Sequence, residues 1–232
     1  MSDLIAIVGN SGSGKSTSLR NLNPKTTFII NVAGKPLPLK GFRTNYTALT
    51  QDVNKKWIGN LYKTADVAKI LTVLKIINTQ RPEIKVVIIE DSQYLMAFEA
   101  MERASEKGYN KFTEIASNFY SILKEAANMR DDLKVCILTH SENMGDALNP
   151  SYKIKTIGKM LDSVITIEGL FTYVLFTSLF KDIEGNITHS FITQSDGTTT
   201  AKTPLGCIEE FLIDNDLQYV IDRIDEFNNS ND

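Results

Sequence analysis

Cysteine is scarce in this chain. Cys136 and Cys207 are the only two in 232 residues, they lie far apart, and neither belongs to a CxxC pattern, which argues against a disulfide framework and against a zinc site. A reducing, cytoplasmic setting is the expectation. An excess of positive charge is also missing: 25 Lys+Arg stand against 28 Asp+Glu, a net charge of −3, so no global field points to nucleic acid or anionic lipid. Any surface for a polyanion must be local. The N-terminal stretch MSDLIAIVG has no basic segment followed by a long apolar one, and the longest apolar run, Leu170 to Phe180, is short and holds Thr172, Tyr173, Thr177 and Ser178. Neither a signal peptide nor a membrane span is expected. Repeats, low-complexity segments and linkers are absent as well, so a single domain over 1–232 is expected, with 42% hydrophobic residues to build one substantial core.

What is present alternates between short apolar runs and helical periodicity. Leu4 to Val8 reads as a buried strand feeding a loop, Ser16 to Leu22 as a short helix stopped by Asn23-Pro24, and Thr27 to Ile30 as a second strand. Gly34-Lys35-Pro36-Leu37-Pro38 and Gly41 then predict a loop or edge hairpin. A long helix follows, capped by Thr64, with Val67, Ile70, Leu71, Leu74 and Ile77 at helical spacing and Arg81-Pro82 at its end. Lys85 to Asp91 is a continuous apolar strand finishing on two carboxylates. Tyr94 to Lys107 and the segment after Asn110 predict helices, and Val135 to Leu138 a further buried strand ending on Thr139-His140. From Val164 onward the runs are shorter and β-rich, with turns at Glu184-Gly185-Asn186 and Asp196-Gly197, before an acidic amphipathic helix over Ile208 to Phe227. Strands alternating with helices predict an α/β fold: a mostly parallel central sheet flanked by helices, extended by the β-rich second half.

The segment Gly9-Asn10-Ser11-Gly12-Ser13-Gly14-Lys15-Ser16 matches the pattern G-x-x-x-x-G-K-[ST], with Thr17 next to it. The chemistry explains the spacing. Glycines let the backbone wrap a phosphate with its N–H groups, the following helix turns its positive end to the same place, Lys15 reaches the β/γ-phosphates, and Ser16 reaches Mg²⁺. The bare pattern arises by chance about once per hundred chains of this size, but a buried strand before it and a helix after it supply the required context. ATP and Mg²⁺ are therefore the expected ligands. A metal-bound triphosphate needs a second acidic contact, and Glu90-Asp91 at a strand tip would supply it, with Asp91 assigned to the metal beside Ser16 and Glu90 to the attacking water, the two roles being exchangeable. His140, or more weakly Thr139, ends a neighbouring strand where a polar group can sense the γ-phosphate.

Arginines are six and scattered, with only Arg223 after Arg130, which counts against a lid of the kind nucleotide kinases bring onto transferring phosphates. Lysines stand in their place: Lys153, Lys155 and Lys159 around Gly158, and Lys202, each either a candidate to meet a neighbouring subunit's nucleotide or a solvated loop lysine. Aromatics and cations interleave over Phe42 to Lys63, a second candidate surface for single-stranded DNA, with a subunit contact or a small satellite core under the Pro-rich loop as the alternatives.

Taken together, the Gly9 to Ser16 loop, the Asn23 to Ile30 strand entry, the Val86 to Ser92 acidic strand, Leu138-Thr139-His140, Lys155-Thr156-Ile157-Gly158-Lys159 and Ala201-Lys202-Thr203-Pro204-Leu205-Gly206 resemble phage-encoded RecA-like P-loop proteins, which include the Sak-type ATPases of single-strand annealing. The resemblance implies a minimal RecA-like core, ATP hydrolysis with Mg²⁺, self-assembly into a homo-oligomer, a DNA-facing role for the loop from Lys153 to Lys159, and work on single-stranded DNA in phage recombination or replication beside a phage single-strand-binding or recombination protein. One departure stands out. RecA-like proteins often place a water-activating glutamate just after the second strand, where this chain reads Asn31-Val32-Ala33-Gly34. A nucleotide-dependent assembly module with little turnover, or a small-molecule or nucleotide kinase, are the alternatives.

Overall fold

The computed structural model describes residues 1–146, 148–157 and 165–230. Its strands are β1 (Asp3–Val8), β2 (Thr27–Asn31), the short β3 (Thr50–Gln51), β4 (Trp57–Ile58) and β5 (Leu61–Lys63), then β6 (Val86–Glu90), β7 (Lys134–Thr139), β8 (Ser141–Asn143), β9 (Tyr152–Ile154), β10 (Tyr173–Lys181), β11 (Ile187–Ile192) and β12 (Leu212–Asp214). Between them lie α1 (Phe42–Asn45), a single turn, then α2 (Val67–Gln80), α3 (Gln93–Glu102), α4 (Asn110–Ala127) and α5 (Leu217–Asn229). Eight strands form one sheet in the order β12-β11-β10-β1-β7-β6-β2-β5. From β10 to β5 all pairings are parallel, and β11 and β12 extend the sheet antiparallel at one edge. The α/β architecture and the β-rich extension agree with the sequence.

Both faces are covered, and the strand residues alternate between them as the pleat requires. Ala6, Val8, Phe28, Ile30, Val87, Ile89, Val135 and Ile137 face the core closed by α2, α3 and α4. Ile5, Ile7, Ile29, Ile88, Cys136 and Leu138 face the other, closed by α5 and the turn after the glycine loop. Strands buried on both sides read as unbroken apolar runs, which is why β1, β6 and β7 were legible in the sequence. Both cysteines are buried and free. No described helix is long and apolar enough to cross a membrane.

Several boundaries differ from expectation, each for a local reason. The cap of α2 is Asp66, whose side chain accepts from Lys69 N at 3.1 Å, while Thr64 Oγ1 accepts from Asp66 N one turn earlier. Losing that cap costs about 1 kcal/mol, so Asp66→Ala is expected to lower the thermal midpoint by a few degrees in a melt followed by circular dichroism. Helix α3 stops at Glu102, because Arg103 leaves the helix to pair with Glu99, Glu106 and Glu114. The expected helix over Ile208 to Phe227 begins only at Leu217: Leu212–Asp214 pairs with β11 instead, and Asp216 caps the helix by accepting from Gln218 N. Residues 16–22 form a 3₁₀ helix, Ser16–Asn21, rather than an α-helix, so the aligned dipole expected behind the glycine loop is short.

Candidate functional site

Strand β1 delivers the chain into the glycine loop at the carboxyl edge of the sheet, where β6 and β7 also end. Gly9 N donates to Thr139 O at 3.2 Å, joining the loop's first residue to the tip of β7. A tight turn follows: Ser13 N donates to Asn10 O at 3.3 Å and Ser13 Oγ to the same oxygen at 2.7 Å. Among the described residues, the amides of Ser11, Gly12, Gly14 and Lys15 donate to no protein acceptor, which leaves a concave row of N–H groups. Gly14 sits at φ 101°, and a Cβ there would lie 2.7 Å from His189 Nδ1, a ring that itself meets Ser13 O at 3.2 Å. Gly14→Ala is expected to cost about 1–2 kcal/mol in stability from the left-handed backbone alone, and to displace His189, read out as a lowered denaturant midpoint together with loss of anion binding.

Lys15 is buried and folds back over the loop, its Nζ donating to Gly9 O and Asn10 O, both at 2.8 Å. Burial pushes its ammonium down to about 8 against the pull of Asp91 and Glu90. Ser16 Oγ donates to Glu90 Oε1 at 2.8 Å. The carboxylate facing Ser16 is thus Glu90, whereas the sequence assigned that position to Asp91. The reason is the strand's end: Glu90 is the last residue in β6, and Asp91 turns out of the strand at φ 58°. Burial, then the neighbouring Asp91 charge, push the Glu90 carboxyl up to about 7. Its second oxygen, Oε2, is buried without a hydrogen-bond partner, and so is Thr139 Oγ1 at the tip of β7. Such atoms are rare in folded proteins and mark places where another group completes the bonding.

A cavity of about 180 Å³ opens onto Lys15, Ser16 and Asp91. Its lining comprises Ser11, Gly12, Gly14, Lys15, Ser16 and Thr17 from the loop and the turn after it, together with Lys35, Pro38, Asp91 and His140. Lys35 Nζ lies 2.5 Å from Asp91 Oδ2. His140 stands edge-on to Tyr94 with centroids 6.0 Å apart, and burial followed by the Lys15 charge holds its pKa below the ordinary histidine value, so its ring is neutral at pH 7. Neither Lys35 nor Pro38 was singled out from sequence. The signal was available in their place in the chain, since loops at the carboxyl ends of parallel strands converge on one edge.

The remaining candidates lie elsewhere. Lys153 pairs with Glu142 at 3.4 Å across the β8–β9 hairpin, and Lys155, exposed, donates its backbone N–H to His140 O at 2.8 Å. Lys202 bridges to Val174 in mid-strand, away from the cavity. Lys159 and Gly158 fall outside the described residues. In the aromatic-basic segment, Phe42 and Tyr46 are core side chains in tilted ring contact, centroids 5.6 Å apart, and Trp57 and Tyr62 are partly buried against the core. Arg43, Lys55, Lys56 and Lys63 are exposed, with the half-buried Trp57 and Tyr62 next to Lys56 and Lys63 in the chain.

The assembled groups suit a tetrahedral oxyanion: converging N–H donors, one buried cation, a second cation lining the same cavity, and a hydroxyl–carboxylate pair able to ligate a hard divalent ion. Among the described residues no cluster of three His, Cys, Asp or Glu could hold a metal unaided. A cation here would need oxygens from the ligand itself. Compared with known proteins, the chain matches no family model and no curated protein.

Proposed function

We propose that this chain is a P-loop protein of RecA-like type that binds ATP with Mg²⁺ and hydrolyses it, acting as a homo-oligomer on single-stranded DNA in phage recombination or replication. The observation that carries the nucleotide reading is the joint placement of Lys15 over a row of free loop amides and of Ser16 against Glu90. The residues fit the ion: Ser16 Oγ lines the cavity, and behind it Glu90, whose Oε2 is buried without a partner, supplies a second hard oxygen donor. Bound there, Mg²⁺ would offset the charge of the β- and γ-phosphates. Lys15 then holds those phosphates, the loop amides orient them, Asp91 stands as the carboxylate for the attacking water, and His140 or Thr139 senses the γ-phosphate from β7.

The RecA-like assignment is supported by the sheet order, in which β7 separates the glycine-loop strand β1 from the acidic strand β6 and brings its own polar tip between them. The DNA reading rests on resemblance and on the β8–β9 hairpin, which springs from the tip of β7 with Lys153 and Lys155 and touches the loop through Ser141 Oγ to Asn10 Oδ1 at 3.0 Å. Asn31 is wholly buried and engaged in a turn, so the position after β2 supplies no carboxylate for water. That observation favours, as a second reading, a module whose nucleotide state governs assembly with slow turnover.

One assay separates the readings. Turnover of Mg-ATP is measured with and without single-stranded DNA, alongside mass by light scattering. The leading reading predicts DNA-stimulated hydrolysis whose DNA dependence weakens with salt; nucleotide-dependent mass without turnover would select the assembly module instead.

A further inference from the structure

Strand β2 ends on Asn31, and its carboxamide closes the next turn from both sides: Oδ1 accepts from Gly34 N at 2.8 Å, and Nδ2 donates to Lys35 O at 2.6 Å. Gly34 takes φ 72° to complete that turn, a conformation a side chain resists. The result is a fixed backbone position for Lys35, which lines the same cavity as Lys15 and whose ammonium meets Asp91. The two partners are unlike in their surroundings. The Lys35 side chain is 55% exposed and the Asp91 side chain 4% exposed, so the lysine can swing on its flexible stem while the carboxylate stays where the left-handed backbone sets it. Burial works against the Lys35 charge, yet the hydrogen bond and charge of Asp91, with Glu90 behind it, raise its pKa above the ordinary lysine value, so it is a full cation at neutral pH.

As long as the pair is intact, Asp91 has its charge neutralised and is not free for water. A terminal phosphate entering this cavity brings a stronger negative charge than one carboxylate, to a cavity that two lysines already line.

We propose that Lys35 is a second phosphate-binding cation, and that it exchanges Asp91 for the terminal phosphate of a nucleoside triphosphate, so that Asp91 is released to water only when that phosphate is present. This rests on the triphosphate reading of the site. In the reaction so gated, the water oxygen bonds to the γ-phosphorus as the bond from that phosphorus to the bridging oxygen breaks. The electron pair stays on the departing diphosphate, and the proton lost by water passes to the Asp91 carboxylate. Lys35 is a catalytic residue in this scheme because it touches the transferred phosphoryl group; Asn31 is a positioning residue that holds it there.

The exchange predicts a property that a merely structural ion pair lacks, namely discrimination between tri- and diphosphate. Affinities of Mg-ADP and of the Mg complex of the β,γ-imido analogue of ATP are measured by calorimetry for the wild type and for Lys35→Met, Lys35→Arg and Asp91→Asn. Lys35→Met is expected to leave ADP affinity within twofold and to weaken the triphosphate analogue about tenfold, Lys35→Arg to restore most of that preference, and Asp91→Asn to tighten the analogue a few-fold because Lys35 no longer has to leave a partner. An unchanged triphosphate-to-diphosphate ratio in Lys35→Met, or equal weakening of both ligands, overturns the exchange while leaving the triphosphate site standing. Failure of the folded wild type to bind either ligand overturns the site reading and the exchange together.

Discussion

Lys15→Met is expected to lose Mg-ATP binding by at least about a hundredfold, a deficit of about 2.7 kcal/mol, while the protein remains folded. The buried ammonium is the one full charge that the loop itself presents, and in the structure it rests on Gly9 O and Asn10 O, the two carbonyls beneath the anion cradle. Without it the loop amides remain, but amides alone are a weak match for a triphosphate. Methionine keeps the volume of the stem and so separates charge from packing. Burial already presses the lysine down to about 8, so its removal relieves a desolvated charge, and a lower thermal midpoint is not expected to accompany the loss of binding. Fluorescent-nucleotide titration with a circular-dichroism melt on the same samples checks both parts.

The second large effect distinguishes two adjacent carboxylates. Glu90→Gln is expected to abolish the magnesium dependence of ATP binding, and Asp91→Asn to keep that dependence while reducing turnover by about 10²–10³-fold, the usual scale for loss of a general base. Stability gives an independent sign. In the metal-free protein, burial and the Asp91 charge raise the Glu90 carboxyl from 4.5 to about 7. A carboxyl whose folded pKa is raised contributes stability that is fully present below the unfolded value and is lost as the pH rises through the folded one. Glutamine stays neutral throughout. Metal-free Glu90→Gln should therefore melt at a higher temperature than wild type above about pH 7 and show no such advantage near pH 4.5, the upper and lower ends of that window. If instead Asp91→Asn removed the magnesium dependence, the pairing of Ser16 with Glu90 would not describe the liganded site.

These two residues also show what the sequence could and could not convey. That a strand ending in Glu90-Asp91 meets the glycine loop follows from its apolar run and from the rule that parallel strands share a carboxyl edge. Which carboxylate faces Ser16 does not, because it depends on where the strand stops and on the left-handed turn of Asp91, at φ 58°. Asp91 was expected at the metal, and the structure sets Glu90 beside the hydroxyl. The shape of the glycine loop was legible because it is local: spacing within a few residues fixes which amides converge. Lys35 was not, since its value arises from a turn tied by the Asn31 side chain and from a partner distant in sequence. The aromatic-basic segment left a nucleic-acid surface and a small core open, for the opposite reason. Composition shows that Phe42 and Tyr46 lie among cations, but only tertiary packing shows both rings turned into the core beneath α5's side of the sheet.

The most direct test of a single triphosphate site built on the glycine loop is calorimetric titration of the folded wild-type protein with ATP in millimolar Mg²⁺. The predicted result is one nucleotide bound per chain, with the heat lost on chelation of the magnesium and absent in Lys15→Met. Magnesium-independent binding, or no binding by protein whose melt shows it to be folded, would contradict it.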